Sequence, residues 1–159
     1  MKTIIIEDEK LAAERLEELI KEIDPSIEIS AKLPSVEQSI KYLKLNKLDL
    51  IFLDIQLEDG LSFSIFEKVE VDVPIIFTTA YDHFAIKAFE VSAVDYLLKP
   101  FSEERFTNAL QKAIAQLGDR FQQNSAIQNI IKQRDEKIEF LERVVIKDGG
   151  KITIIPVEE

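Results

Sequence analysis

Apolar positions along this chain fall into short runs separated by amphipathic stretches, and each spacing predicts an element. Residues 3–7 (TIIIE) are β-branched and too short for a helix, so they read as a buried strand. Ala12, Leu16, Leu19, Ile20 and Ile23 follow at helical spacing, and Asp24-Pro25 ends that helix. Residues 27–30 (IEIS) alternate like a half-exposed edge strand. Val36, Ile40 and Leu43 mark a second helix, and residues 49–54 (DLIFLD) a third strand that is apolar after its opening Asp49 until its last residue. A third helix is expected over 61–69 and a fourth strand over 73–80 (VPIIFTTA). Asp82 can cap a fourth helix over 83–91. Residues 95–98 (DYLL) predict a fifth strand. Ser102 can cap a fifth helix to about Leu117, with Glu103 and Glu104 well placed in its first turn.

Strict alternation of strands and helices implies an α/β fold, a parallel sheet covered on both faces. Right-handed crossovers leave few topologies, and five strands suit the order 2-1-3-4-5. In such a sheet the ligand site lies beyond the carboxyl ends of the strands.

Those ends carry the chemistry. The first strand delivers Glu7 and Asp8, the third Asp54, the fourth Thr78 and Thr79, the fifth Lys99. Adjacent carboxylates repel, so Glu7, Asp8 and Asp54 are tolerable together if a cation binds among them; oxygen ligands suit Mg²⁺. A carboxylate beside Mg²⁺ can attack phosphorus. Phosphoryl transfer then needs mainly alignment and charge neutralisation, which Lys99 and the Thr79 hydroxyl can share. Thr78 alternates away from Thr79 and reads as a strand residue. His83, the single histidine, reads as an exposed residue of the fourth helix's first turn.

Charge supports a cationic ligand. The net charge is -10, and residues 1–118 hold 22 acidic against 13 basic side chains. Such a body repels nucleic-acid phosphates on average. There are no cysteines, no apolar run of membrane-spanning length and no N-terminal signal pattern. A cytoplasmic protein with no membrane partner is the expectation.

The acidic pair Glu7-Asp8, Asp54 ending the third strand, Thr79 before Ala80, Tyr96 three residues before lysine, and Lys99-Pro100 together resemble the receiver domain of two-component response regulators. The resemblance covers residues 1–118. It implies a flavodoxin-like (βα)5 three-layer fold, with Asp54 as phosphoacceptor for a sensor histidine kinase. It further implies Mg²⁺ held by Asp8, Asp54 and the Gln56 backbone carbonyl, with Glu7 acting mainly through water. Thr79 and Tyr96 become the switch pair, and the Lys99-Pro100 bond becomes cis. The family usually has proline four residues past the phosphoacceptor and glycine eight past it; here Glu58 and Ser62 stand there, and Gly60 comes earlier.

Ile127, Ile131, Ile138 and Leu141 form a heptad seam, with Asn124 in register and Arg134 at the missing position. Residues 119–143 are therefore expected as a helical linker, either a short coiled coil supporting a homodimer or a solvated helix. Residues 144–147 and 151–155 read as strands about Asp148-Gly149-Gly150. Residues 144–159 resemble the opening of a LytTR DNA-binding domain, and residues 81–101 resemble receivers of that subfamily. The expectation is a switch whose DNA contact comes only through a missing C-terminal domain, rather than an enzyme.

Two other classes would want residues that do not stand here. A Mg²⁺-dependent phosphohydrolase with Asp54 as nucleophile would want a second acid two residues on, where Gln56 stands. A flavin-binding protein of this topology would want a phosphate cradle after the first strand, where Glu7-Asp8-Glu9 repels phosphate.

Overall fold

Ile4 and Ile6 pack on one face of a central sheet and Ile5 on the other, as the two-residue period of a strand buried on both sides requires. The computed structural model describes the backbone of residues 1–141, 143–148 and 151–156 and the side chains of residues 1–120, 126 and 130. Contacts divide the chain into Met1–Leu117 and Gly118–Glu159.

In the first unit the order is β1 (Lys2–Ile6), α1 (Lys10–Ile23), β2 (Glu28–Leu33), α2 (Val36–Leu45), β3 (Leu50–Leu53), β4 (Gln56–Leu57), β5 (Gly60–Leu61), α3 (Ser64–Lys68), β6 (Ile75–Thr79), α4 (Ala85–Glu90) and β7 (Ala93–Leu98). α5 (Glu103–Leu141) follows and continues into the second unit. The five-stranded sheet runs β2-β1-β3-β6-β7, all parallel. Counting only its own strands, this is the expected 2-1-3-4-5 order and the flavodoxin-like fold.

One core joins Ile4, Ile6, Ile51, Leu53, Ile75 and Phe77 with Val36 of α2, Ile65 of α3 and Ala88 of α4. The opposite core joins Ile5, Leu50, Phe52 and Ile76 with Ala13, Leu16 and Ile20 of α1 and Phe106, Ala109, Leu110 and Ala113 of α5. Phe106 stacks between Phe52 at 5.5 Å and Phe101 at 5.7 Å, which seats the first turns of α5 on the sheet.

Four local expectations need correction. α4 begins at Ala85, not His83, and Asp82 does not cap it: Phe84 holds the cap position with no side-chain hydrogen bond. Phe84 is drawn instead into an aromatic group with Phe63 at 5.8 Å and His83 at 4.2 Å, so helical geometry starts only after it. His83 is exposed, as expected, but precedes the helix. The third helix is shorter than expected, because residues 56–61 form the two-strand hairpin β4–β5. Gly60, with φ +142°, makes that turn in a conformation L side chains rarely adopt. The Ser102 cap is present, accepting from the Arg105 N–H at 3.1 Å.

The second unit holds the rest of α5 and an antiparallel hairpin of β8 (Arg143–Asp148) and β9 (Lys151–Pro156), paired from Arg143↔Pro156 to Asp148↔Lys151. The side chains of Asn124, Ile127, Ile131, Arg134, Ile138 and Leu141 lie outside the described residues. Among the described residues no helix is long and apolar enough to cross a membrane.

Candidate functional site

Parallel strands bring their carboxyl ends to one edge, and main-chain bonds fix their order there. The Asp54 N–H donates to the Ile6 carbonyl at 2.9 Å, the Glu7 N–H to Leu33 at 3.0 Å, and the Lys99 N–H to Thr79 at 2.8 Å. β1 therefore ends directly into Glu7 and Asp8, β3 into Asp54, and β7 into Lys99.

Lys99 Nζ lies 3.0 Å from Glu7 Oε2 and 3.3 Å from Asp54 Oδ2. One oxygen each from Glu7, Asp8 and Asp54 lies within 4.8 Å of the others. Glu7 and Asp54 are buried while Asp8 is exposed, so the cluster opens to water on one side. Gln56, Glu58, Ala80 and Tyr81 complete a cavity of about 460 Å³ above it. Burial and the adjacent Asp54 carboxylate push the Glu7 carboxyl up to about 7, against the pull of Lys99. Burial opposes the Lys99 charge, but Asp54 and Glu7 prevail and hold its ammonium above the ordinary lysine value. Three acids with one ammonium leave this edge short of positive charge. Its donors are all hard oxygens around a solvent opening, which fits Mg²⁺ with several retained waters.

Thr79 is fully buried, and its Oγ1 accepts the Tyr81 N–H at 3.3 Å. The Tyr96 hydroxyl donates to the Tyr81 carbonyl, and its ring packs on Phe77 at 6.1 Å. Burial raises the Tyr96 phenol above its ordinary value. Thr78 lines a different groove, with Leu11, Arg15 and Phe101. The Lys99-Pro100 bond is cis. The fold thus gathers Glu7, Asp8, Asp54, Gln56 and Lys99 around one cavity, while Thr79 and Tyr96 meet at the adjoining Tyr81.

Sequence reasoning missed three participants. Tyr81 joins the two switch candidates. Asp59, at the tip of the β4–β5 hairpin, accepts from the Val36 N–H at 2.7 Å and the Glu37 N–H at 3.1 Å. Asp95 is gripped by Arg105 and Lys112 of α5. The Asp59-Gly60 pair was the signal for a turn, but its partner on α2 is 23 residues away.

This chain belongs to the response regulator receiver domain family, whose family model matches residues 3–111. Within that family its relatives include proteins of the LytT and LytR kind. It is 36% identical to the sensory transduction protein LytT of Enterococcus faecalis, over 100% of this chain and 66% of that protein. It is 43% identical to LytT of Bacillus anthracis over 70% of this chain and 46% of that protein. With the transcriptional regulatory protein LytR of Staphylococcus aureus it shares 39% identity over 81% and 53%. The chain thus spans about half to two thirds of the length of these relatives. Among solved structures, the response regulatory domain of mrkE from Klebsiella pneumoniae superposes with a TM-score of 0.67 at 38% identity, covering 75% of this chain and 99% of that one.

Proposed function

We propose that Asp54 is the phosphoacceptor, taking a phosphoryl group from a sensor kinase histidine in the cytoplasm. The observation that carries this reading is the Lys99 ammonium, held 3.3 Å from the Asp54 carboxylate at the rim of a three-carboxylate cluster. An Asp54 oxygen attacks phosphorus; the new O–P bond forms as the P–N bond breaks. The electron pair leaves with the imidazole nitrogen, which takes a proton from solvent. Lys99 is placed to exchange its Asp54 contact for a phosphoryl oxygen. Glu7, Asp8, Asp54 and the Gln56 carbonyl would hold Mg²⁺, which supplies neutralisation of charge on the transferring group.

Phosphorylated Asp54 presents a new acceptor toward the Thr79 hydroxyl. Thr79 leaving Tyr81 frees the segment that Tyr96 also holds, biasing a two-state element. The output surface is the α4–β7–α5 face, where Ile86, Phe89 and Leu98 are exposed. Homodimerisation through it would be reinforced by the 127–141 seam through effective concentration. DNA is contacted through a LytTR domain of which residues 144–159 are the start, a reading supported by the likeness to the transcriptional regulatory protein LytR of Staphylococcus aureus.

Acetyl phosphate with Mg²⁺ should add one phosphoryl group to the wild type and none to Asp54→Asn. Peptide mapping of the phosphate to any other residue refutes the assignment. Sedimentation with and without phosphodonor tests the output: wild type should associate more tightly when phosphorylated than Ile131→Asp/Ile138→Asp. Specific DNA retention by these 159 residues alone would overturn the domain reading.

A further inference from the structure

At Glu58, where the family pattern usually has proline, nothing covalent fixes φ. A side chain supplies the restraint from outside. Asp59 Oδ1 and Oδ2 accept from the Val36 and Glu37 N–H groups, which open α2. These N–H groups have no partner within their own helix. α2 already possesses a cap, since Ser35 Oγ accepts from the Gln38 N–H at 3.1 Å. The Asp59 contact therefore does more than start the helix: it ties the hairpin to it.

The tie closes a ring around the acidic cluster. Asp54 N–H meets Ile6, Glu7 N–H meets Leu33, Ser62 N–H meets Ile55 at 2.7 Å, and Gln56 pairs with Leu61. Each of these links joins main chain to main chain. Between α2 and the hairpin tip, the Asp59 carboxylate makes the link.

We propose that Asp59 is a positioning residue for cation binding, holding Gln56 over the cluster by pinning the hairpin tip to α2. The role rests on the reading above, in which the Gln56 carbonyl is a ligand. Burial works against the Asp59 charge, but the α2 N–H groups keep its carboxyl below the ordinary value, consistent with an ionised acceptor. Its own side chain is outside the acidic cluster.

The test is calorimetric Mg²⁺ titration of the full chain, with Asp8→Ala, Asp59→Ala and Ser35→Ala. Asp8→Ala reports on the cation site itself: unchanged Mg²⁺ affinity in that variant overturns the site reading, and this inference with it. With that control passed, Asp59→Ala should raise the Mg²⁺ dissociation constant about tenfold, as loss of a ligand-orienting group does. Ser35→Ala removes a cap from the same helix end without touching the hairpin, so it should lower the melting temperature and leave Mg²⁺ affinity unchanged. Should Asp59→Ala fail to fold by circular dichroism, Asp59→Asn takes its place, because its amide cannot accept both N–H groups. A dissociation constant within about twofold of wild type in the folded Asp59 variant overturns the proposal. Equal weakening in Ser35→Ala overturns it too, reducing Asp59 to a helix cap.

Discussion

Arg105 holds Asp95 with both arms of its guanidinium, Nη1 to Oδ2 and Nη2 to Oδ1, each at 2.6 Å. Lys112 adds a contact at 3.3 Å. Burial alone would raise the Asp95 carboxyl; the fork, a bond from the Tyr96 N–H and Lys112 overcome it and bring it from 3.8 to about 2. A depressed carboxyl stabilises the folded state above its unfolded value, and that contribution is lost as pH falls toward about 2. Arg105 is itself partly exposed and screened, so Arg105→Ala should cost about 1 kcal/mol at neutral pH. Urea unfolding at neutral pH and near pH 3 checks this. The gap between wild type and variant should narrow in acid, and a constant gap contradicts the linkage.

Asp8 is the exposed member of a cluster that holds three carboxylates against one ammonium. Asp8→Asn should raise the melting temperature of the metal-free chain by removing repulsion, while abolishing the rise that Mg²⁺ gives wild type. At a hundredfold excess over its dissociation constant, Mg²⁺ should stabilise wild type by about 2.7 kcal/mol. Differential scanning fluorimetry with and without chelator reads both effects. A variant still stabilised by Mg²⁺ like wild type would remove Asp8 from the cation site.

Ser62 occupies the position where the family pattern usually has glycine, and its buried hydroxyl has no hydrogen-bond partner among the described residues. An unsatisfied buried hydroxyl costs free energy that alanine avoids at nearly the same volume. Ser62→Ala should stabilise the domain by about 1 kcal/mol in denaturant unfolding. Destabilisation would show that the hydroxyl is satisfied in solution.

Phe106 is fully buried between Phe52 and Phe101. Phe106→Ala should cost about 3–5 kcal/mol, a large share of a domain's stability. Hydrogen exchange should then show the first turns of α5 opening before the β1–β3 pair. Uniform opening of both would mean that α5 and the sheet form one cooperative unit.

The sheet was legible because each central strand is a continuous apolar run that gives way to a polar residue, as Leu53 of β3 gives way to Asp54. The cluster was legible because topology alone carries such residues to one edge. Lys99 and Glu7 are 92 residues apart, yet the ends of β7 and β1 bring them to 3.0 Å. The start of α4 was not legible, because a local cap at Asp82 lost to the packing of Phe84 on Phe63. The β4–β5 hairpin was hidden because two-residue strands carry no periodicity. Asp59 and Asp95 have ordinary sequence surroundings, and their partners come from other elements, so their roles appear only in three dimensions.

The backbone of Tyr81 is fastened twice, its N–H to Thr79 and its carbonyl to Tyr96. In the proposed switch, two fasteners on one residue would set the noise floor of the signal. A single bond worth about 1 kcal/mol would suppress spontaneous release about fivefold, and two acting together about thirtyfold. A thermal fluctuation that breaks one bond leaves the other to draw the segment back. In the proposed switch, phosphorylation of Asp54 would draw on Thr79 for as long as the acyl phosphate lasts, so it would outlive such fluctuations. The output of such a switch would be filtered by duration, with idle leakage set by the rarer double opening.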